Sequence, residues 1–385
     1  MKAILVCHQV PRPVGHGGHR RAYQIRRDLE DALGAGNVLV ADDLGNYRPE
    51  WTWRMLPFRV RRAWSRYLEN PLKLIVRTRF ASQLHSLPAF HAYYEALLGT
   101  VQGPAVSVIE HAAFSGLLPI NARHGIPTVA CIQNLEAFDM SCDLRGRWAM
   151  RAKALDLANE VEVLARCDHC LYISRVEAGF MGGLGIPGSF YPYVPVGEIK
   201  EQFEKVREAR SRGAAERGLF LLLGTVGPVI RRASSAWFLD NIRDRGLPSG
   251  MRVVVAGLHT ETLLPAGETL PGVEVRGWLE EDALQALLAR VTAVVVPLHQ
   301  GFGALTRMPE LSCAGVPVIV SRNATFAQDP PPGAVVVEDR WDAWCAAMES
   351  MCDAGAVVAA AEYEAWEAGQ PRPLPGVLKA LTTAR

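Results

Sequence analysis

Short apolar runs recur along this chain with segments of helical periodicity between them. "KAILVC", "NVLVA", "VSVIE", "PTVACI" and "HCLYIS" come first; "LFLLLG", "RVVVAG", "VEVRG", "AVVVPL", "VPVIVS" and "AVVVE" follow. The runs are continuous and β-branched rather than alternating, which predicts parallel strands covered on both faces. Strands that alternate with helices give an α/β protein built from doubly wound, Rossmann-like sheets. The rhythm breaks once, in "LGIPGSFYPYVPVGEIK", residues 184 to 200, where glycines and prolines interrupt both periodicities. Two Rossmann-like domains facing across a cleft are therefore expected, residues 1–190 and 191–365. A C-terminal helix in 366–385 is expected to cross back to the first domain. In such sheets ligands bind beyond the carboxyl ends of the strands, so the loops there are where chemistry is sought.

Composition changes this picture little. The 385 residues carry 41 basic and 40 acidic side chains, a net charge of +1 that argues against a general nucleic-acid binder. Eight cysteines lack a disulfide or zinc framework; the only close pair is Cys167 and Cys170 in "RCDHC". They read as reduced core thiols. "MKAILVCHQV" reads as a first buried strand rather than a signal peptide. No window approaches the roughly 18 apolar residues of a membrane span. A cytoplasmic protein is expected, with any membrane contact peripheral, on the inner face.

The candidate chemistry lies in "PLHQGFGALTRMPELSCAGVPVIVS", residues 297 to 321. Gly301 and Gly303 let the chain turn tightly and bring backbone N–H groups against a ligand, and a helix is expected from about residue 304. That is the geometry of a phosphate site. Arg307 on the first turn can add a charge-assisted bond to a diphosphate oxygen. Glu310, on the same helical face, is an acceptor suited to ribose hydroxyls. The plain alternative is a tight strand-to-helix turn with a solvated Glu310.

"GFGALTRMPELSCAGVPVIVS" resembles the donor motif of the GT-B glycosyltransferases, specifically the retaining family 4. Gly301, Gly303, Thr306, Arg307, Glu310, Gly315, Pro317 and Val318 fall in register. The resemblance implies that Glu310 holds the donor ribose, while Arg307 and the loop amides, including that of Phe302, hold the diphosphate. "GGHRRAYQIRRDLEDAL" is similar to the family's N-terminal glycine loop, which gives Gly17, Gly18 and His19 an acceptor or phosphate role. "CIQNLEAFD" resembles its "HN-x-E" segment, and "LFLLLGTVG" the start of the second domain, which brings Gly224 and Thr225 to the donor. His111, after "VSVIE", lies near the donor sugar in relatives and is the candidate catalytic residue; a helix-capping role is its alternative.

Three departures accompany these matches. Gln300 stands where many relatives have a glutamate, so the negative charge offered to an oxocarbenium-like transition state is missing. The family's "K-G" is absent, leaving Arg231 or Arg232 as the substitute diphosphate cation. Gln133 stands where relatives often have histidine.

The implied activity is transfer of a sugar from a UDP- or GDP-linked donor to a glycan or polyprenyl-linked acceptor, in bacterial surface polysaccharide synthesis. It needs no cofactor and no metal. A transferase-derived binding or assembly protein, and a nucleotide-sugar epimerase, are the alternatives. Residues 51–80 add a possible partner. From Arg54 to Arg79 eight Lys/Arg accompany one acidic residue, with aromatic side chains between them. That composition suits an interfacial helix on an anionic membrane surface; ordinary packing and RNA binding are its alternatives.

Overall fold

The computed structural model describes residues 1–42, 88–135, 137, 147–224, 226, 229–299, 303–354 and 357–383. It divides into two compact units, Met1–Pro192 with Pro371–Arg385, and Tyr193–Gln370.

The first unit runs β1 (Lys2–Cys7), α1 (Gly17–Leu33), β2 (Val38–Asp42), α2 (Pro88–Gly99), β3 (Ala105–Ile109) and α3 (Leu118–Arg123). It continues with β4 (Thr128–Ile132), α4 (Arg147–Leu164), β5 (His169–Tyr172), α5 (Arg175–Gly183) and β6 (Gly188–Phe190). Its six strands lie in the order β2-β1-β3-β4-β5-β6, and every pairing is parallel. Alternate residues feed two cores. Ile4, Val6, Ile109, Ile132 and Tyr172 are buried on one face; Leu5, Val108, Val129, Cys131 and Leu171 on the other.

The second unit runs α6 (Gly197–Ala209), β7 (Leu219–Leu223), α7 (Val229–Arg245), β8 (Arg252–Ala256), β9 (Val273–Gly277) and α8 (Glu281–Arg290). Then come β10 (Ala293–Val296), α9 (Arg307–Cys313), β11 (Val318–Ser321), β12 (Ala334–Val337), α10 (Trp341–Ala354) and α11 (Ala360–Ala368). The strand order is β12-β11-β10-β7-β8-β9, again parallel. Phe220, Leu222, Val253, Val255, Val295 and Ile319 pack beneath Phe238, Trp341 and Trp344.

Not every apolar run is covered on both faces. β9 alternates between exposed and part-buried residues, and β12 leaves Val335 and Val336 exposed. Each is an edge strand, so only part of its surface is reached by neighbours. The glycine and proline stretch also hides a strand, β6. A Cβ at Gly188 would lie 2.4 Å from the Tyr172 ring and 2.8 Å from the Cys170 carbonyl oxygen, so only glycine lets this short strand approach β5.

The last helix, α12 (Leu374–Thr383), belongs to the first unit, where Leu374 and Leu378 share a core with Ala22, Ile25 and Leu29 of α1. A buried polar row on α1 holds the chain where it leaves and re-enters that unit. Arg21 donates to the carbonyls of Tyr191 at 2.6 Å and Pro192 at 3.0 Å. Asp28 accepts the Tyr191 hydroxyl and an Arg372 N–H, the latter at 3.4 Å.

In the second unit two arginines fix the carboxyl end of α9. Arg207 of α6 donates to the Ser312 carbonyl at 3.2 Å. Arg210, just after α6 and 2% exposed, donates to the carbonyls of Leu288 at 2.9 Å, Val291 at 2.6 Å and Gly315 at 3.1 Å. A guanidinium at two helix carboxyl ends completes carbonyls that the helices leave unpaired. Replacing it by an apolar side chain of similar length strands them. Arg210→Met is expected to destabilise the second unit by roughly 2 to 4 kcal/mol, read from the shift of its urea unfolding transition; an unshifted transition would mean that water satisfies these carbonyls.

Candidate functional site

The carboxyl ends of β7, β8 and β10 build the site in the second unit. Gly224 follows β7 and Gly257 follows β8, and their backbones touch. At φ 130° a Cβ on Gly257 would stand 2.0 Å from the Gly224 carbonyl oxygen, so both the backbone angle and the space demand glycine. Arg307 opens α9, and its guanidinium donates to the Leu223 carbonyl. A Cβ on Gly224 would lie 3.1 Å from Arg307 Nη1. Gly224 and Arg307, distant in sequence, are thus brought together. Leu223, Gly224, Ser234, Pro297, Leu305 and Arg307 line an open recess there.

Glu310 lies one turn further along α9, 4% exposed, where its Oε1 accepts the Tyr193 hydroxyl at 2.8 Å. This partner was not foreseen. Tyr193 lies in the proline-broken stretch, where no periodicity says which way a side chain points. The connection ahead of α9 is pinned at both ends. Leu298 N–H donates to Ser321 Oγ at 3.0 Å and His299 N–H to Ser234 Oγ at 3.2 Å. Gln328 clasps Leu305, accepting its N–H at 2.9 Å and donating to its carbonyl at 3.2 Å.

One expectation is corrected. The helix begins at Arg307, not near residue 304, and spans seven residues. Pro309 explains this. In a helix begun at 304 its ring would meet the carbonyl of Leu305, whereas as third residue it forfeits only an N–H that has no partner in a first turn. Gly303 and Thr306 therefore precede the helix, and the Thr306 side chain makes no capping bond. Positive charge at this turn comes chiefly from Arg307 itself. Arg232, named as a substitute cation, is instead bonded to Thr262, at 3.1 Å to Oγ1 and 2.7 Å to the carbonyl. Thr225, Gln300, Gly301, Phe302 and the Arg231 side chain lie outside the described residues, as does the whole segment 51–80.

In the first unit the glycine loop after β1 is organised by its histidines. His16 caps α1, its Nδ1 accepting the Gly18 N–H at 3.1 Å. His19 is buried: its Nδ1 donates to the Val10 carbonyl at 2.9 Å, and its Nε2 accepts from Arg12 at 3.2 Å. Burial pushes its pKa down, which favours this neutral tautomer. Both ring nitrogens thus serve the loop's own shape, with Gly17 and Gly18 opening the helix behind it. His111 caps the turn after β3, its Nδ1 accepting the Ala113 N–H at 3.1 Å. In the neutral ring this places the proton on Nε2.

Glu110, one residue before His111, was missed. It closes the run "VSVIE", and a glutamate after an apolar run is ordinarily the first solvated residue. Here it is 1% exposed, just after β3 and beside the point where the strand order reverses between β1 and β3. The hint was its place at a strand's carboxyl end in such a sheet. Its Oε2 accepts the His8 N–H at 3.1 Å, and its Oε1 accepts from the Gln133 amide. Burial raises its pKa to about 7, against the opposing pull of Gln133, His111 and His8. Two further buried carboxylates hold the turn after β4: Glu177 accepts the Leu135 N–H at 2.7 Å and Glu160 the Ala137 N–H at 3.1 Å.

A raised carboxyl pKa makes folding favour the protonated form. The contribution of Glu110 is therefore full below the unfolded value of 4.5, falls as pH rises, and is gone above about 7. The interval corresponds to roughly 3 kcal/mol. Glu110→Gln is expected to flatten the loss of first-unit stability between these pH values, measured by urea unfolding across the range; an equally steep loss in the variant would assign the dependence to other groups.

No protein-family model matches the sequence, and no curated protein does. Solved structures do match over the full chain. Sucrose-phosphate synthase from Thermosynechococcus elongatus is 13% identical, with a TM-score of 0.64 and 100% of each chain covered. HepE from Anabaena, in complex with UDP and glucose, is 10% identical, with a TM-score of 0.58 over 100% of this chain and 99% of that one. The α,α-trehalose 6-phosphate synthase of Burkholderia multivorans is 11% identical, with a TM-score of 0.53 over 100% and 98%. The chain has the two-domain α/β fold of these GT-B glycosyltransferases.

Proposed function

We propose that this protein transfers a sugar from a nucleoside diphosphate sugar to a hydroxyl of a glycan or lipid-linked acceptor. The observation that carries the reading is the meeting of Gly224 and Arg307 at the carboxyl ends of β7 and β10, with Glu310 one turn further along α9. Breaking the bond between the anomeric carbon and the diphosphate leaves negative charge on the phosphate. A guanidinium beside glycine backbone is suited to stabilise that charge. Glu310, held by Tyr193, presents a charged acceptor to ribose hydroxyls. The acceptor oxygen forms the new bond to the anomeric carbon, and its proton passes to the departing diphosphate. Retention of anomeric configuration follows from the family resemblance. HepE binds UDP and glucose, which makes UDP-glucose the first donor to test.

A place in surface polysaccharide synthesis, with residues 51–80 against an anionic membrane, belongs to the same reading. Eight basic residues against one acidic between Arg54 and Arg79 support it. Each contributes on the order of 1 kcal/mol near such a surface.

Two measurements test these claims. Calorimetry with UDP and with uridine is expected to show Glu310→Ala weakening both by roughly 1 to 3 kcal/mol. Arg307→Gln should weaken UDP more than uridine; equal losses would make Arg307 structural, and unchanged affinity would remove Glu310 from the site. Transfer from UDP- and GDP-sugars to a polyprenyl-linked acceptor in anionic vesicles should fall as salt rises, while donor hydrolysis stays constant. Salt-independent transfer would remove the membrane role, and no release of nucleoside diphosphate from any donor, with any glycan or lipid acceptor, would remove the activity.

A further inference from the structure

His8, Glu110 and Gln133 are the first residues after β1, β3 and β4, and the donor chemistry proposed above uses none of them. Glu110 is enclosed, with each oxygen committed to one partner. The His8 backbone N–H, which can only donate, faces Oε2, and the Gln133 amide faces Oε1. Gln133 itself is part-exposed, and its own Oε1 accepts no hydrogen bond from a described residue.

These partners differ in what they permit. A backbone N–H cannot become an acceptor, so Oε2 remains an acceptor whatever the charge on Glu110. The only bonded partner that can turn to accept an O–H is the Gln133 amide, so the proton of a neutral Glu110 is favoured on Oε1, the oxygen that faces it. An ionised Glu110 requires an N–H from Gln133, which turns the amide carbonyl away from it. A protonated Glu110 offers an O–H, which the amide carbonyl accepts once the amide has turned over, and the amino group is then presented instead. One proton thus reverses the hydrogen-bonding sense of the part-exposed end of Gln133.

We propose that Gln133 is a specificity-determining contact for a hydroxyl-bearing ligand at this strand end, and that the proton on Glu110 decides whether it offers a carbonyl or an amino group. The ligand class rests on the reading that the first unit receives a sugar acceptor. A sugar hydroxyl both donates and accepts, so it is held in either state. A phosphate or carboxylate at the same place would be held only by the amino group. The pair thus discriminates against anionic groups when Glu110 is ionised.

Among the described residues, the titratable groups facing the carboxyl group are His8 after β1, His111 after β3 and the Cys131 thiol on β4, with Arg21 of α1 within electrostatic reach of that thiol. Positive charge on either histidine draws the carboxyl group toward ionisation, and burial opposes it, which brings the change into the neutral range.

The test uses the full chain, deuterated and labelled with 15N-glutamine, with the Gln133 side-chain resonances assigned by their loss in Gln133→Met. Between about pH 5.5 and 8.5 they are expected to move through a single transition, which Glu110→Gln abolishes. No movement in the wild type, or the same transition in Glu110→Gln, overturns the switch. Should that variant not fold, Gln133→Met with 13C-labelled glutamate serves instead: loss of the amide donor is expected to raise the Glu110 midpoint, and an unchanged midpoint overturns the coupling. Glucose, mannose and galactose are the ligand probes at fixed pH. A shift of the Gln133 resonances by at least one of them is expected, and if none moves them the ligand assignment falls. None of these readouts needs turnover or a nucleotide, so their failure is distinct from failure of the transferase reading.

Discussion

A guanidinium with no carboxylate beside it among the described residues fixes the second unit. Arg210 is buried deeply enough for its pKa to fall to about 10, and it is tied to the carbonyls of Leu288, Val291 and Gly315. Burying a cation costs several kcal/mol, which carbonyls at helix carboxyl ends offset because they are the negative ends of those helices. The consequence reaches the site. With its carboxyl end held by Arg207 and Arg210, the short α9 keeps Arg307 and Glu310 in place at its other end. The missing Cβ of Gly224 leaves the space beside which the Arg307 guanidinium lies.

The first unit meets a similar constraint with the opposite charge. Three of its strand ends close over carboxylates: Glu110 joins β1, β3 and β4, while Glu160 and Glu177 hold the turn after β4. Each backbone N–H bonded in this way is a donor that a tight turn leaves without a partner, so these acids are part of the fold before they are part of any chemistry. Glu110 has a part-exposed amide as a partner, through which its charge can be felt outside the core.

Much of this architecture was legible in the sequence because parallel strands covered on both faces leave unbroken apolar runs, and each named run contributes to a strand. β6 was not legible: three residues containing a glycine, between prolines, carry no period. The exposed faces of β9 and β12 were hidden for another reason, since position at a sheet edge is a property of topology rather than of composition. At the site, the glycines, Arg307 and Glu310 could be named from spacing. Tyr193 and Gln328 could not, because their contacts join segments far apart in the chain. His19 and His111 show the limit of residue type as a guide. Both are histidines in the right loops, and the hydrogen bonds found for them hold those loops in shape. Pro309 was visible all along, and reading its clash with residue 305 would have placed the start of α9 correctly.

If Gly224, Arg307 and Glu310 form a nucleoside diphosphate site, a crystal structure of the protein with UDP will show it. Diphosphate oxygens are expected within hydrogen-bonding distance of the Arg307 guanidinium and the glycine backbone at 224 and 303, with the ribose hydroxyls on Glu310. UDP bound elsewhere, with Arg307 still on the Leu223 carbonyl and Glu310 contacting no ribose hydroxyl, would contradict it.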